Sequence, residues 1–195
     1  MLPQDPDYEL VDRAKKRDKQ AFVALFDKYK DKIFAYLYGY LKDYEKARDV
    51  TLYTFMAAYE ELGVYRARGK FSSWLYAIAT NSAKKELRKT IHLKEVSLEE
   101  PLNCEKAVTL GDLIEDNKNR PDYLAVVADL KEFIYSLLSK LNKKYREVLL
   151  LCDMQEMSYD EAAKVLKCSP ITIGTRVRRG RRKFYKLLKK YKNEL

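Results

Sequence analysis

Between Asp18 and Lys42 the apolar side chains Phe22, Leu25, Phe26, Tyr29, Ile33, Phe34, Leu37 and Leu41 recur three and four residues apart. This is the period of an α-helix with one buried face; a strand, whose side chains alternate faces at every residue, has no use for it. Similar spacing marks a helix from Asp43, a natural N-cap, to about Leu62, and others over 71–89, 122–140 and 142–155. A short helix over 7–17 precedes them. Glycine occurs only six times, so turn signals are too sparse for an all-β chain. The predicted fold class is all-α.

Two segments interrupt the pattern. Gly63 to Lys70 carries two glycines and several cations. His92 to Pro121 has weak periodicity, two prolines and scattered acids. A connection of about 30 residues without regular structure is uncommon inside one domain. The expected organisation is therefore two small helical domains, 1–91 and 122–195, joined by an acidic flexible linker, 92–121. Hydrophobic residues make up 47%, enough for a core, which excludes wholesale disorder. No apolar run approaches the roughly 18 residues of a membrane span. The opening MLPQDPDYEL lacks the basic and apolar regions of a secretory signal. Cys104, Cys152 and Cys168 lack metal-knuckle spacing, and His92 is the one histidine. No metal site, cofactor or catalytic group is expected, and the location expected is cytoplasmic.

The formal charge is +10, and its distribution is more telling than its sum. From Arg176 to Lys192 there are ten Lys and Arg and no acid. From Arg66 to Lys89 there are seven against Glu86 alone, while His92 to Asp122 holds eight acids against four bases. Two cationic patches separated by an acidic stretch suit a protein that meets a polyanion at two places.

The last patch lies on the second helix of a helix-turn-helix outline. Ser158 and Glu161 form a capping-box pattern for a short helix ending near Lys167, and Ser169-Pro170 starts the next. Along that helix Ile173, Val177, Gly180, Phe184 and Leu187 form one apolar stripe. Ile171, Thr175, Arg178, Arg182 and Lys186 fall opposite, flanked by Thr172, Gly174 and Arg179. N-terminal residues of such a helix meet base edges, which selects Thr172, Thr175, Arg178 and Arg179, with Arg176 beside them. Arg182, Lys183 and Lys186 lie nearer the phosphates. A merely solvated helix with this charge would repel itself.

The helix from Phe71 carries a second cationic face. Trp74, Asn81, Lys85 and Arg88 share one stripe, with Lys84 beside it and Lys70 just ahead. An aromatic ring, an amide and cations suit a single strand, whose bases stack while its phosphates are neutralised. The competing reading places Trp74 in the core with Phe71, Leu75 and Ile78.

These residues carry a family resemblance. Residues 21–41, 49–59 and 70–89, with the pattern F-x-x-W-L-Y-x-I-A-x-N, resemble region 2 of the extracytoplasmic-function sigma factors. Residues 141–184, with the helix-turn-helix following REVLLL, resemble their region 4. The resemblance implies a protein without covalent chemistry that binds core RNA polymerase and directs promoter-specific initiation. It implies that the helix around Asp49, Leu52, Tyr53, Phe55 and Met56 docks on the polymerase clamp coiled-coil. The helix from Phe71 would hold the melted −10 strand, and the last helix would read the −35 duplex while region 4 packs on the flap. An anti-sigma protein is a further partner the family admits.

The sequence departs from the family in places. Of the usual clamp-helix pattern only Ala47, Asp49 and Phe55 remain, and Gly174 stands where a basic residue is usual. The altered clamp helix keeps open an alternative: a helix-turn-helix regulator that does not recruit core polymerase. Asp49, Glu60 and Glu61 as nuclease metal ligands are a weaker reading than solvated helix faces.

Overall fold

The structure, a computed structural model, describes residues 5–66, 69–96 and 121–192. The described residues form helices and no strands. α1 spans Tyr8–Lys15, α2 Lys19–Leu41, α3 Tyr44–Glu61 and α4 Phe71–Val96, with a 3-10 turn at Leu62–Val64. α5 spans Pro121–Ser139, α6 Lys143–Leu149, α7 Tyr159–Leu166 and α8 Pro170–Lys192. α4 runs past residue 91 to Val96; residues 97–120 of the predicted linker lie outside the described residues.

Local chemistry explains the boundaries. Asp18 Oδ1 accepts from the backbone N–H groups of Gln20 (3.0 Å) and Ala21 (3.2 Å), and Asp43 Oδ1 from Lys46 (3.0 Å). Each such cap contributes roughly 1 kcal/mol by satisfying orphan donors. The start of α4 is capped from afar: the Asp5 carboxylate accepts from Phe71 N at 2.6 Å. Lys42 ends α2 in the left-handed conformation, φ 59°.

α1 to α4 pack around Leu25, Ile33, Tyr36, Leu37, Phe71 and Leu75, all buried. The Tyr36 hydroxyl meets Thr80 Oγ1 at 2.7 Å, so the polar tip is satisfied inside the core. Burial holds that phenol well above its usual pKa. Asp7 is buried too, and accepts from the Tyr29 hydroxyl and the Lys28 ammonium.

The second half forms its core from Leu137, Val148, Leu151, Ile173 and Val177. Here the expected helix over 142–155 changes character. Leu150–Met154 is a π turn, which widens the helix and re-aims its side chains. The free thiol of Cys152 lies on this turn; burial pushes its pKa up to about 11, so it stays protonated. Arg146 bridges helix ends, donating to the carbonyls of Ser139 (2.7 Å), Leu138, Leu141 and, across the halves, Tyr40 (each 3.2 Å).

Candidate nucleic-acid interface

The helix-turn-helix is built as its sequence suggests. The Ser158 hydroxyl accepts from Glu161 N at 3.3 Å and the Glu161 carboxylate accepts from Ser158 N at 2.8 Å, closing the capping box of α7. Lys167 turns the chain in the left-handed conformation, φ 54°. Ser169 Oγ then accepts from Thr172 N at 3.2 Å and starts α8, with Pro170 at its first position.

α8 buries the predicted apolar stripe. Ile173 and Val177 are fully enclosed, Gly180 is buried, and Phe184 and Leu187 pack at the core edge. A Cβ on Gly180 would approach the Leu149 side chain to 3.3 Å, so the glycine seats α8 closely on α6. The opposite face is open: Ile171 is 83% exposed, and Arg178, Arg179, Arg182, Lys183 and Lys186 are exposed. None of these five cations makes an ion pair with a described residue. Arg181, on the flank, is different: its guanidinium forks onto Asp153 of the π turn (2.6 and 3.1 Å). One cation pins the helix through an ion pair, while of the five outward cations Lys183 meets only the Tyr145 ring, 5.7 Å from its centroid.

Thr172, Thr175 and Arg176 are half-buried and, with Ile171 and Arg179, line an open cleft beside α8. Lys144 and Tyr145 of α6 complete it. Sequence reasoning missed these two, because nothing local in α6 signals that its first turn lies beside α8. Gly174 also gains a role: a Cβ there would lie 3.3 Å from the Tyr159 ring, so the position is a packing notch between α7 and α8.

On α4, Asn81, Lys85 and Arg88 share an exposed face, and Lys84 beside them is half-buried. Trp74 leans inward instead. Its ring is half-buried, 4.8 Å from Tyr65 and 5.7 Å from Phe71 between centroids. Lys70 is ion-paired with Glu161 of α7 at 2.7 Å. Burial works against the Glu161 charge, yet Lys70 and the Ser158 donors outweigh it and hold the carboxyl below its usual range.

On α3, Asp49, Leu52, Tyr53 and Met56 are brought together on an exposed face; the three apolar residues are more than half exposed. Phe55 does not join them, which corrects the expectation. It is buried, edge-on to Phe26 with centroids 4.8 Å apart. The signal was available: Ala47, Thr51, Thr54, Phe55 and Ala58 form the inward stripe at three- and four-residue spacing. Among the described residues no three His, Cys, Asp or Glu side chains converge as a metal site. No helix among them is long and apolar enough to cross a membrane.

A helix-turn-helix with an open cationic face in one half and a second cationic helix in the other suit a protein that meets a polyanion at two places. Residues 25–91 match Sigma-70 region 2, and residues 133–184 match Sigma-70, region 4. RNA polymerase sigma-H factor of Pseudomonas aeruginosa is 30% identical over 189 residues, 96% of each chain. ECF RNA polymerase sigma factor SigW of Bacillus subtilis is 31% identical over 179 residues, 92% of this chain and 95% of that one. The solved structure of CnrH, in complex with the cytosolic domain of CnrY, shares the fold (TM-score 0.69, 24% identity, 95% of this chain and 98% of that one). So does the sigma factor RpoE in complex with the anti-sigma factor NepR from Bartonella quintana (TM-score 0.68, 22% identity, 86% and 96%). The chain belongs to the extracytoplasmic-function sigma factors. It is an RNA polymerase sigma factor of transcription initiation, as the motifs over 21–89 and 141–184 suggested.

Proposed function

We propose that the two halves divide promoter recognition between strand-separated and paired DNA. Residues 1–91 act as region 2 and residues 122–195 as region 4, with 92–121 as the linker. The open cationic face of α8, lying opposite a fully buried apolar stripe, carries this reading. Thr172, Thr175, Arg178 and Arg179 contact base edges of the −35 duplex; an Arg fork suits the O6 and N7 of guanine. Arg176, Arg182, Lys183 and Lys186 neutralise phosphates, with Lys144 as a further phosphate contact from the neighbouring helix.

On α4, Asn81, Lys84, Lys85 and Arg88 hold the melted −10 strand, with Lys70 and Trp74 at its start. Unstacking costs a few kcal/mol and is offset by these contacts. Asp49, Leu52, Tyr53 and Met56 form the docking patch for core polymerase; three exposed large apolar side chains on one helix face suit a protein partner. Region 4 also meets the polymerase flap. The protein acts in the cytoplasm, performs no covalent step itself, and has an anti-sigma protein as a further partner.

Run-off transcription tests the whole reading. Purified protein is added to core polymerase with a random promoter library, and enriched sequences are read out. Two enriched blocks about one −10/−35 spacing apart are expected. Transcription failure with retained duplex binding would favour the regulator that does not recruit polymerase.

A further inference from the structure

Ile171 is an apolar side chain with no apolar surroundings. It is the second residue of α8 and 83% exposed, more than any other large apolar side chain among the described residues. At 100° per residue it falls opposite Gly180, the residue buried against Leu149 of α6. It lines the open cleft together with Lys144, Thr172, Thr175, Arg176 and Arg179. Arg178 and Arg182 share its face of the helix. The surface around it is therefore made of hydroxyls and cations.

The exposure is built into the helix. A helical side chain tilts toward the N-terminus and covers the turn before its own Cα. Ile171 can thus be covered only by the residues three and four positions on. Gly174 has no side chain, and Thr175 has a short one. A long side chain at either position would lie over the isoleucine. Ile171 is not needed to start α8 either. Ser169 already caps the helix and Pro170 fills its first position, and a β-branched residue is a poorer helix former than a straight-chain one.

The N-terminal residues of such a helix meet base edges in the major groove. That groove displays donors, acceptors and one apolar group, the C5 methyl of thymine. Thr175, Arg178 and Arg179 can serve the polar groups. Ile171 cannot; pressed against a donor or acceptor it would leave that group desolvated and unpaired. A methyl group is what it complements. We propose that Ile171 is a specificity-determining residue, which reads a thymine of the −35 duplex through its C5 methyl. The inference rests on the reading of α8 as the duplex-binding helix given above.

Replacing thymine by deoxyuridine is the test, because the adenine pairing and the phosphates stay and only the methyl goes. Holoenzyme formed from the full-length protein and core polymerase is used in competition binding on the promoter enriched by run-off transcription. Each thymine of the −35 block, on either strand, is replaced in turn. At one position the loss of the methyl is expected to weaken wild-type binding about four-fold, with the other positions close to neutral. Ile171→Ala, a change at an exposed position, should bind the thymine and deoxyuridine promoters equally. Ile171→Val, which keeps a branched apolar side chain, should retain most of the discrimination. The same deoxyuridine penalty in Ile171→Ala as in the wild type would overturn the assignment and leave α8 as the duplex reader. So would a −35 block in which no thymine methyl affects binding. Enrichment without any −35 block would overturn both readings. If Ile171→Ala instead loses co-elution with core polymerase and weakens both promoters alike, the side chain meets a protein and the proposal falls.

Discussion

The cationic faces of α8 and α4 are made of similar residues and stand in different states. On α8, Arg178, Arg179, Arg182, Lys183 and Lys186 face outward without a carboxylate partner among the described residues, and a neighbouring Arg181–Asp153 fork fixes the helix beneath them. Just ahead of α4 Lys70 is neutralised by Glu161, and on α4 Trp74 is drawn into an aromatic cluster and Lys84 is half-buried. The face proposed to read duplex is thus open as folded, and the face proposed to bind a single strand is only partly so. Free cations cost self-repulsion until a polyanion arrives; paired ones first have to give up a partner. The same residue types therefore give an immediate surface in one half and a conditional one in the other.

The largest effect should come from the ready surface. Arg178→Ala is expected to cost about 1–3 kcal/mol at one −35 position and to relax selection there. Single-strand affinity should not change. Competition binding with single-base variants of the selected duplex checks this. Equal losses on duplex and single strand would erase the distinction between the faces. Next in size is the double substitution Lys85→Ala with Arg88→Ala, expected to weaken single-strand binding by about ten-fold, roughly 1.4 kcal/mol. Duplex affinity should hold, as the same two titrations would show.

Much of this was legible in the sequence, and what was not has a common cause. The capping box at Ser158 and Glu161, the Ser169-Pro170 start and the stripe from Ile173 to Leu187 are local patterns, and the fold reproduces them. The pairing of Lys70 with Glu161, the close approach of Gly39 to Leu150 and Tyr135, and the bridge from Arg146 to Tyr40 join residues far apart in the chain. No periodicity encodes them. Gly39 reads in sequence only as a weak point in a helix. The π turn was hidden because its apolar residues, Leu150 and Leu151, continue a helical pattern and only the extra residue per turn differs. Phe55 was legible and misassigned: a motif position outweighed the inward stripe to which it belongs.

Protonation offers a smaller and more discriminating test. Lys42 lies at the junction facing Glu132 and Tyr135 of α5 and Arg146 of α6. Burial brings its pKa down to about 8; Glu132 partly opposes the shift and Arg146 adds to it. The folded junction therefore binds fewer protons than the unfolded chain between about pH 8 and 10.5, so raising pH through that window stabilises it. Lys143, lowered by burial and by Lys84, Arg88 and Arg146 despite Glu147, acts with the same sign. Glu161, lowered, adds stability that is lost only as pH falls into the acid range. Above pH 10 the buried Tyr40 and Tyr76 phenols, raised by desolvation, reverse the trend. Thermal melts should accordingly show the wild type gaining stability from about pH 7 to 9.5 and Lys42→Met gaining less; equal gains in the two would detach Lys42 from the junction's pH dependence.

Lys186→Ala should give the smallest change, and it separates positioning from reading within α8 itself. The side chain is exposed about two turns beyond Arg179, the last of the base-contact candidates, where a cation meets phosphate rather than a base edge. A phosphate contact releases counterions and carries no sequence information. The variant should thus lose affinity evenly across all duplexes, and the slope of log K against log salt should flatten by about 0.9. Arg178→Ala should leave most of that slope in place while changing the preferred sequence. If the Lys186 variant shifts base preference, or the two variants give the same salt slope, the division of α8 into a reading end and a phosphate end is wrong. The contrast with α4 would then rest on pairing alone, because the two faces would differ only in whether their cations are already occupied.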